Sequence, residues 1–140
     1  MRLQEIMKVK VEFVSPQDTV QSSACRMRDE NIGFLPVCDQ SKKVLGTITD
    51  RDLAIRVLAN GSPPSTRVEE VMTHEVVSCR PDDELRKVEE LMAKNHKSRM
   101  VCLDSNGRLA GVISLSDIAQ ADMGRASQTL RQVSEREARA

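Results

Sequence analysis

Two short segments carry the pattern with the most chemical promise: Gly46-Thr47-Ile48-Thr49-Asp50-Arg51-Asp52 and Gly111-Val112-Ile113-Ser114-Leu115-Ser116-Asp117. In each, a hydroxyl residue precedes an aspartate by three positions, Thr49 before Asp52 and Ser114 before Asp117. A carboxylate accepts two hydrogen bonds at once, so it suits the vicinal hydroxyls of a ribose. At a strand-to-helix junction the first helical turn adds unpaired N–H groups that favour phosphate. The glycine lets another backbone come close. The same Ser/Thr-x-x-Asp spacing also serves as a helix cap with no ligand at all. Its recurrence in two places gives the binding reading equal standing with the cap, and both stay open.

Other chemistry has less support. Only two histidines occur, His74 and His96, and neither has a Ser or Cys nucleophile at meaningful spacing, which argues against an enzyme. The carboxylate pairs Asp50/Asp52 and Asp82/Asp83 sit at expected helix starts, where the helix dipole accounts for them. Cys25, Cys38, Cys79 and Cys102 form no CxxC and have no close Cys/His spacing, so they read as reduced thiols rather than metal ligands. Residues 1–66 carry 9 basic and 8 acidic side chains and residues 67–140 carry 12 and 13, so charge balances along the chain. With no basic stripe and only Phe13 and Phe34 as aromatics, nucleic-acid binding is not expected. No apolar leader follows Met1 and no run approaches the length of a membrane span, so the expectation is a cytoplasmic protein without a membrane anchor.

The elements that position these segments follow from an internal repeat. Shifted by 65 positions, residues 3–59 lie on 68–124 without a gap and with eleven identities, among them Met7/Met72, Pro16/Pro81, Gly46/Gly111 and Asp52/Asp117. Within each copy a short extended stretch ends at Pro16 or Pro81, and Asp18 or Asp83 is placed to cap the next helix. Val20, Ser23 or Ala24, and Met27 recur at helical spacing, as do Leu85, Val88 and Met92. Strands are expected over 32–38 and 99–103, with Pro36 marking an edge or bulge, and again over 44–49 and 109–114. The unit is thus β-α-β-β-α and the fold class α/β of the mixed α+β kind. The boundaries read as 1–61 for the first repeat, 62–66 for a Pro- and Ser-rich linker and 67–121 for the second repeat. Residues 122–140 form a polar tail or short helix, with Ala126, Leu130 and Val133 as a weak apolar stripe. Units of about 60 residues bury little alone, so the two are expected to share a core.

The ordered pair of motifs, Pro16-Gln17-Asp18-Thr19-Val20 with Gly46–Asp52 and Pro81-Asp82-Asp83-Glu84-Leu85 with Gly111–Asp117, resembles the tandem CBS-domain (cystathionine beta-synthase domain, Bateman module) family. The likeness covers about residues 3–121 and points to a small stand-alone member of bacterial type. It implies two repeats with pseudo-twofold symmetry, two clefts between them, and frequent pairing into a homodimer. It also implies a regulatory, signal-transducing module that binds AMP, ADP, ATP or S-adenosylmethionine and acts on a separate effector protein, with no cofactor required. In that pattern Asp52 and Asp117 hold ribose, with Thr49 and Ser114 beside them. Arg99, five residues before Asp104, would meet phosphate, with His96 as its neighbour. The first copy has Phe34 where the second has Arg99, so Arg51 or Lys42 would have to supply its cation. The competing reading is a ligand-free dimerisation or protein-interaction module that keeps both aspartates as caps.

Overall fold

The computed structural model describes residues 1–121 and 123–137. In chain order the elements are α1 (Val20–Glu30), β1 (Phe34–Cys38), β2 (Val44–Thr49), α2 (Asp50–Asp52, continued as a π-helix over Leu53–Leu58), β3 (Ser78–Cys79), α3 (Leu85–Asn95), β4 (Arg99–Leu103), β5 (Leu109–Ser114), α4 (Leu115–Ala121) and α5 (Met123–Glu137). Single 3-10 turns at Leu3–Glu5 and Val68–Glu70 open the two repeats. The architecture is mixed α+β, with each repeat in the expected order.

The helices form where the apolar spacing places them. Val20, Ser23 and Met27 are the buried face of α1, and Leu85, Val88 and Met92 that of α3. Both helices stop at a left-handed residue, Asn31 and His96, a normal way to end a helix. Their starts differ from the sequence reading. Thr19, not Asp18, caps α1 by accepting from the Ser22 N–H, and no side chain caps α3. Asp18 and Asp83 lie one residue too early. Their carboxylates reach back to the N–H groups of Ser15 and Arg80 at 2.9 and 2.8 Å, closing the turn before each helix.

β1 and β2 form an antiparallel hairpin in which Phe34 faces Thr49 and Pro36 faces Thr47, with the expected irregularity falling at Val37/Cys38. The first strand of the first repeat shrinks to one parallel bridge, Val14 to Val37. Its counterpart β3 pairs with β4 through Ser78–Val101 and Cys79–Cys102.

Two compact units emerge, and they cut across the repeat boundaries. One joins Glu12–Val76 with Gly107–Leu109; the other joins Met1–Val11, Val77–Asn106 and the described residues from Ala110 onward. Each repeat's opening segment therefore packs on the body of the other repeat. The exchange is reciprocal. Leu3 N–H donates to Asp83 O (2.9 Å), Leu85 N–H to Met1 O (2.8 Å), and Lys8 and Val112 exchange two bonds of 3.0 Å. Sixty-five residues on, Val68 N–H donates to Asp18 O (2.9 Å), Val20 N–H to Thr66 O (2.8 Å), and Thr47 and Thr73 exchange bonds of 3.0 and 2.9 Å. Even the side chains match, since the Nη1 groups of Arg2 and Arg67 donate to Asp82 O and Gln17 O, both at 2.6 Å.

These segments complete the cores. Leu3 is fully buried among Leu85, Val88, Met92, Met100 and Ile113. Val68, Val71 and Met72 are buried with Val20, Leu35 and Ile48. Burying one such side chain stabilises by about 1.5–3 kcal/mol, so neither unit is complete without its exchanged segment. The C-terminal stretch is a helix, α5, packed on α3 and α4. Among its described side chains Thr129 and Val133 are buried, whereas Leu130 of the anticipated stripe is exposed. The side chain of Ala126 lies outside the described ones.

Candidate functional site

Both Ser/Thr-x-x-Asp segments lie where a strand runs into a helix, and both close as capping boxes. Thr49 Oγ1 accepts from the Asp52 N–H at 3.1 Å, and Asp52 Oδ2 accepts from the Thr49 N–H at 2.9 Å. Ser114 Oγ accepts from the Asp117 N–H at 3.2 Å, while Asp117 Oδ2 takes both the Ser114 N–H (2.9 Å) and the Ser114 hydroxyl (3.0 Å). The cap is real at both junctions. It uses only one carboxylate oxygen in each.

The other oxygen faces a cation in each case, through a different residue. Asp52 Oδ1 lies 3.7 Å from Nε of Arg56, one helical turn on, and Arg56 Nη1 also donates to Val71 O and Met72 O of the exchanged segment. Asp117 Oδ1 lies 3.7 Å from Nζ of Lys8, which comes from the exchanged segment itself. At that separation the contact is an ion pair and not a hydrogen bond, so Oδ1 keeps acceptor capacity at both sites. Asp117 is 7% exposed and the Lys8 side chain 71%. The carboxylate is thus held in the fold and the lysine side chain is exposed to solvent.

The glycines explain how the segments get so close. A Cβ on Gly111 would stand 2.5 Å from Lys8 O, and one on Gly46 2.6 Å from Thr73 O. The close approach anticipated at these positions is made by the chain's own backbone.

Arg99 is exposed at the start of β4, and Leu115 N–H donates to Ser98 O at 3.0 Å, which brings Arg99 and Ser114 to one end of the sheet. Arg51 is exposed on α2, next to the Thr49–Asp52 box. Lys42 cannot serve that junction. It sits in the β1–β2 turn, at the far end of the hairpin from Thr49, with its ammonium 5.5 Å from the centre of the Phe13 ring. His96 lines a separate groove of about 420 Å³ with Glu90, Ala93, Lys94, Gln132 and Glu135, and none of Arg99, Ser114 or Asp117 lines it. Its Nδ1 is buried without a hydrogen-bond partner.

Two charged residues at these junctions escaped the sequence reading. Arg56 had a local signal, being four residues after Asp52 on a helix. Lys8 had none, because its position beside Asp117 depends on the segment exchange.

Two of the thiols are poorly disposed to chemistry. Burial pushes the Cys38 thiol up to about 11. Cys102 is pushed up as well, first by its hydrogen bond with Cys79 (Sγ to Sγ 3.6 Å) and then by burial. Among the described residues no group of three or more His, Cys, Asp or Glu side chains is placed to hold a metal ion, and no helix is long and apolar enough to cross a membrane.

The CBS domain family matches the chain twice, over residues 3–59 and 68–124. The chain belongs to the CBS domain family. It is 37% identical over 125 residues to the CBS domain-containing protein YhcV of Bacillus subtilis, covering 89% of this chain and 88% of that one. Among solved structures it resembles Hypoxic Response Protein I, determined with two coordinated zinc ions, at 26% identity and a TM-score of 0.79, covering 86% of this chain and 98% of that one. It also resembles the CBS domain pair of protein MJ0100 in complex with 5'-methylthioadenosine and S-adenosyl-L-methionine, at 25% identity and a TM-score of 0.80, covering 89% and 98%. The two junctions are therefore those of a CBS domain pair.

Proposed function

We propose that this CBS pair is a regulatory sensor that binds an adenine nucleotide or adenosyl compound, with Asp117 and Ser114 holding the ribose and Arg99 facing phosphate. The observation that carries the reading is the divided Asp117 carboxylate. Oδ2 is saturated by the capping box, while Oδ1 has no hydrogen bond and can accept from a diol. The adenosyl ligands of the MJ0100 pair support the same chemistry. The Thr49–Asp52 junction, with Arg51 as its cation, is the weaker of the two, because Phe34 stands where the second repeat has Arg99.

The test is titration calorimetry with adenosine, AMP, ATP and S-adenosylmethionine on the wild type and Asp117→Asn. An asparagine side-chain oxygen can still close the box, but its amide then replaces the free acceptor. Affinity should fall about tenfold or more, the scale of a lost charge-assisted bond at about 1.5–3 kcal/mol. If the wild type binds none of these compounds, the reading fails.

The competing reading, a ligand-free interaction module, draws on the completeness of both capping boxes. It predicts that Asp117→Asn changes only stability. In either case we expect a homodimer that acts on a separate effector protein. The apolar Ile55 and Leu58, 47% and 79% exposed on the π-helical segment, support an interface between two copies. Light-scattering mass across a concentration series checks this, and a persistent species of 15.6 kDa would refute the dimer.

A further inference from the structure

The two junctions have the same backbone and different charge, and the difference comes from the exchanged segments. Beside Asp117 the segment presents Lys8; at the equivalent place beside Asp52 the other segment presents Thr73. The geometry points to Lys8 as the residue that sets ligand class at the second junction, selecting a phosphorylated, anionic nucleoside over an uncharged or sulfonium-bearing adenosyl compound. This rests on the proposed adenosyl site and extends it to a residue and a preference.

The backbone fixes where Lys8 can act. Its N–H and C=O both bond Val112 at 3.0 Å, three residues after which β5 has already given way to α4. Gly111 lets that pairing close in, because a side chain there would meet Lys8 O. The Lys8 stem starts from a backbone fixed by two hydrogen bonds and its ammonium stays exposed, 3.7 Å from Asp117 Oδ1. With ribose on Oδ1, the ammonium keeps its attraction to the carboxylate and is within a short swing of a group on the 5' carbon. Lys8 thus stands beside the Asp117 carboxylate, and Arg99 adds a second exposed cation at the same end of the sheet. The field of these two cations attracts phosphate and repels a sulfonium.

At the first junction Arg56 already bonds Val71 O and Met72 O and pairs with Asp52. The exposed Arg51 is offset by the second carboxylate of Asp50, and the exchanged segment offers Thr73 in place of a cation. The same selection is not built there.

The experiment is calorimetry on the full chain with adenosine, AMP and S-adenosylmethionine, for the wild type, Lys8→Met and Lys8→Arg. Methionine keeps the apolar stem and the backbone bonds, and Lys8→Arg, which keeps the charge beside the buried Asp117, controls for any loss of stability. The wild type should bind AMP at least about tenfold more tightly than adenosine. Lys8→Met should weaken AMP about five- to tenfold and leave adenosine within about twofold, and Lys8→Arg should restore the preference. Equal weakening of AMP and adenosine would overturn the assignment, and so would an unchanged AMP affinity. A wild type that binds adenosine or S-adenosylmethionine without preferring AMP refutes this inference and spares the sensor reading. A wild type that binds no adenosyl compound removes both.

Discussion

Replacing Gly111 with alanine tests whether the exchanged segment needs that glycine. The new Cβ would lie 2.5 Å from Lys8 O and 3.2 Å from Met7 Sδ. Ordinary contact begins near 3.4 Å, so the segment has to retreat by about 0.9 Å from the carbonyl alone (3.4 − 2.5). The two Lys8–Val112 bonds, now 3.0 Å, cannot survive that displacement. Each is worth about 1 kcal/mol net, so roughly 2 kcal/mol is lost. Restricting the unfolded chain returns about 0.4–1 kcal/mol. Strain passed to the fully buried Leu3 adds to the cost. The expected net is a destabilisation of about 1–3 kcal/mol, read from urea unfolding. Hydrogen exchange gives the local readout: the amides of Lys8 and Val112 should lose protection before those of β4. Gly46→Ala should behave alike through Thr73. Gly61→Ala is the control for backbone strain alone, since φ there is +68° and nothing lies within 4 Å. A Gly111→Ala protein as stable as the wild type, with Lys8 still protected, would refute the reasoning.

A fragment of residues 12–76 should unfold more cooperatively than one of residues 1–64, because it contains the buried Val68, Val71 and Met72. Circular dichroism melts of the two, which are nearly equal in length, decide it. Arg99→Ala should weaken AMP and ATP while sparing adenosine in calorimetry, and an equal loss for adenosine would place Arg99 elsewhere than at phosphate. Cys38 stays protonated in the folded protein until about pH 11 but ionises in the unfolded chain near 9.0. Its contribution is therefore complete below pH 9 and is lost as pH rises toward 11, by at most about 2.7 kcal/mol. The stability difference between wild type and Cys38→Ala, measured in urea across that range, should shrink accordingly, and a constant difference would contradict the assignment. Thr19→Ala should cost about 1 kcal/mol as a lost N-cap, whereas Asp18→Ala should leave the α1 cap intact and loosen only the Ser15 turn.

The sequence by itself determined the repeat, the order of its elements and the helix faces. Those follow from local periodicity: Leu85, Val88 and Met92 lie on one side of a helix whatever packs there. It also located both Ser/Thr-x-x-Asp junctions, because a strand-to-helix turn and its cap are made within seven residues. The anticipated cap at Asp18 failed for an equally local reason, a competition between turn and helix for one carboxylate that spacing alone does not resolve.

Only the tertiary structure decided which opening segment completes which core. A 65-residue period reads the same whether residues 1–11 pack on their own repeat or on the next one, since the bonding partners are equivalent in both. The exchange then fixes what each junction carries. Met7 and Met72 are identical, as are Gly46 and Gly111, so the two packings match. Lys8 and Thr73 are not, so the charge beside Asp117 and the charge beside Asp52 diverge. A pairing between residues more than a hundred positions apart, such as Lys8 with Asp117, leaves no trace in local pattern. It exists because the backbone of Lys8 is bonded to Val112, and that bond is a property of the folded chain.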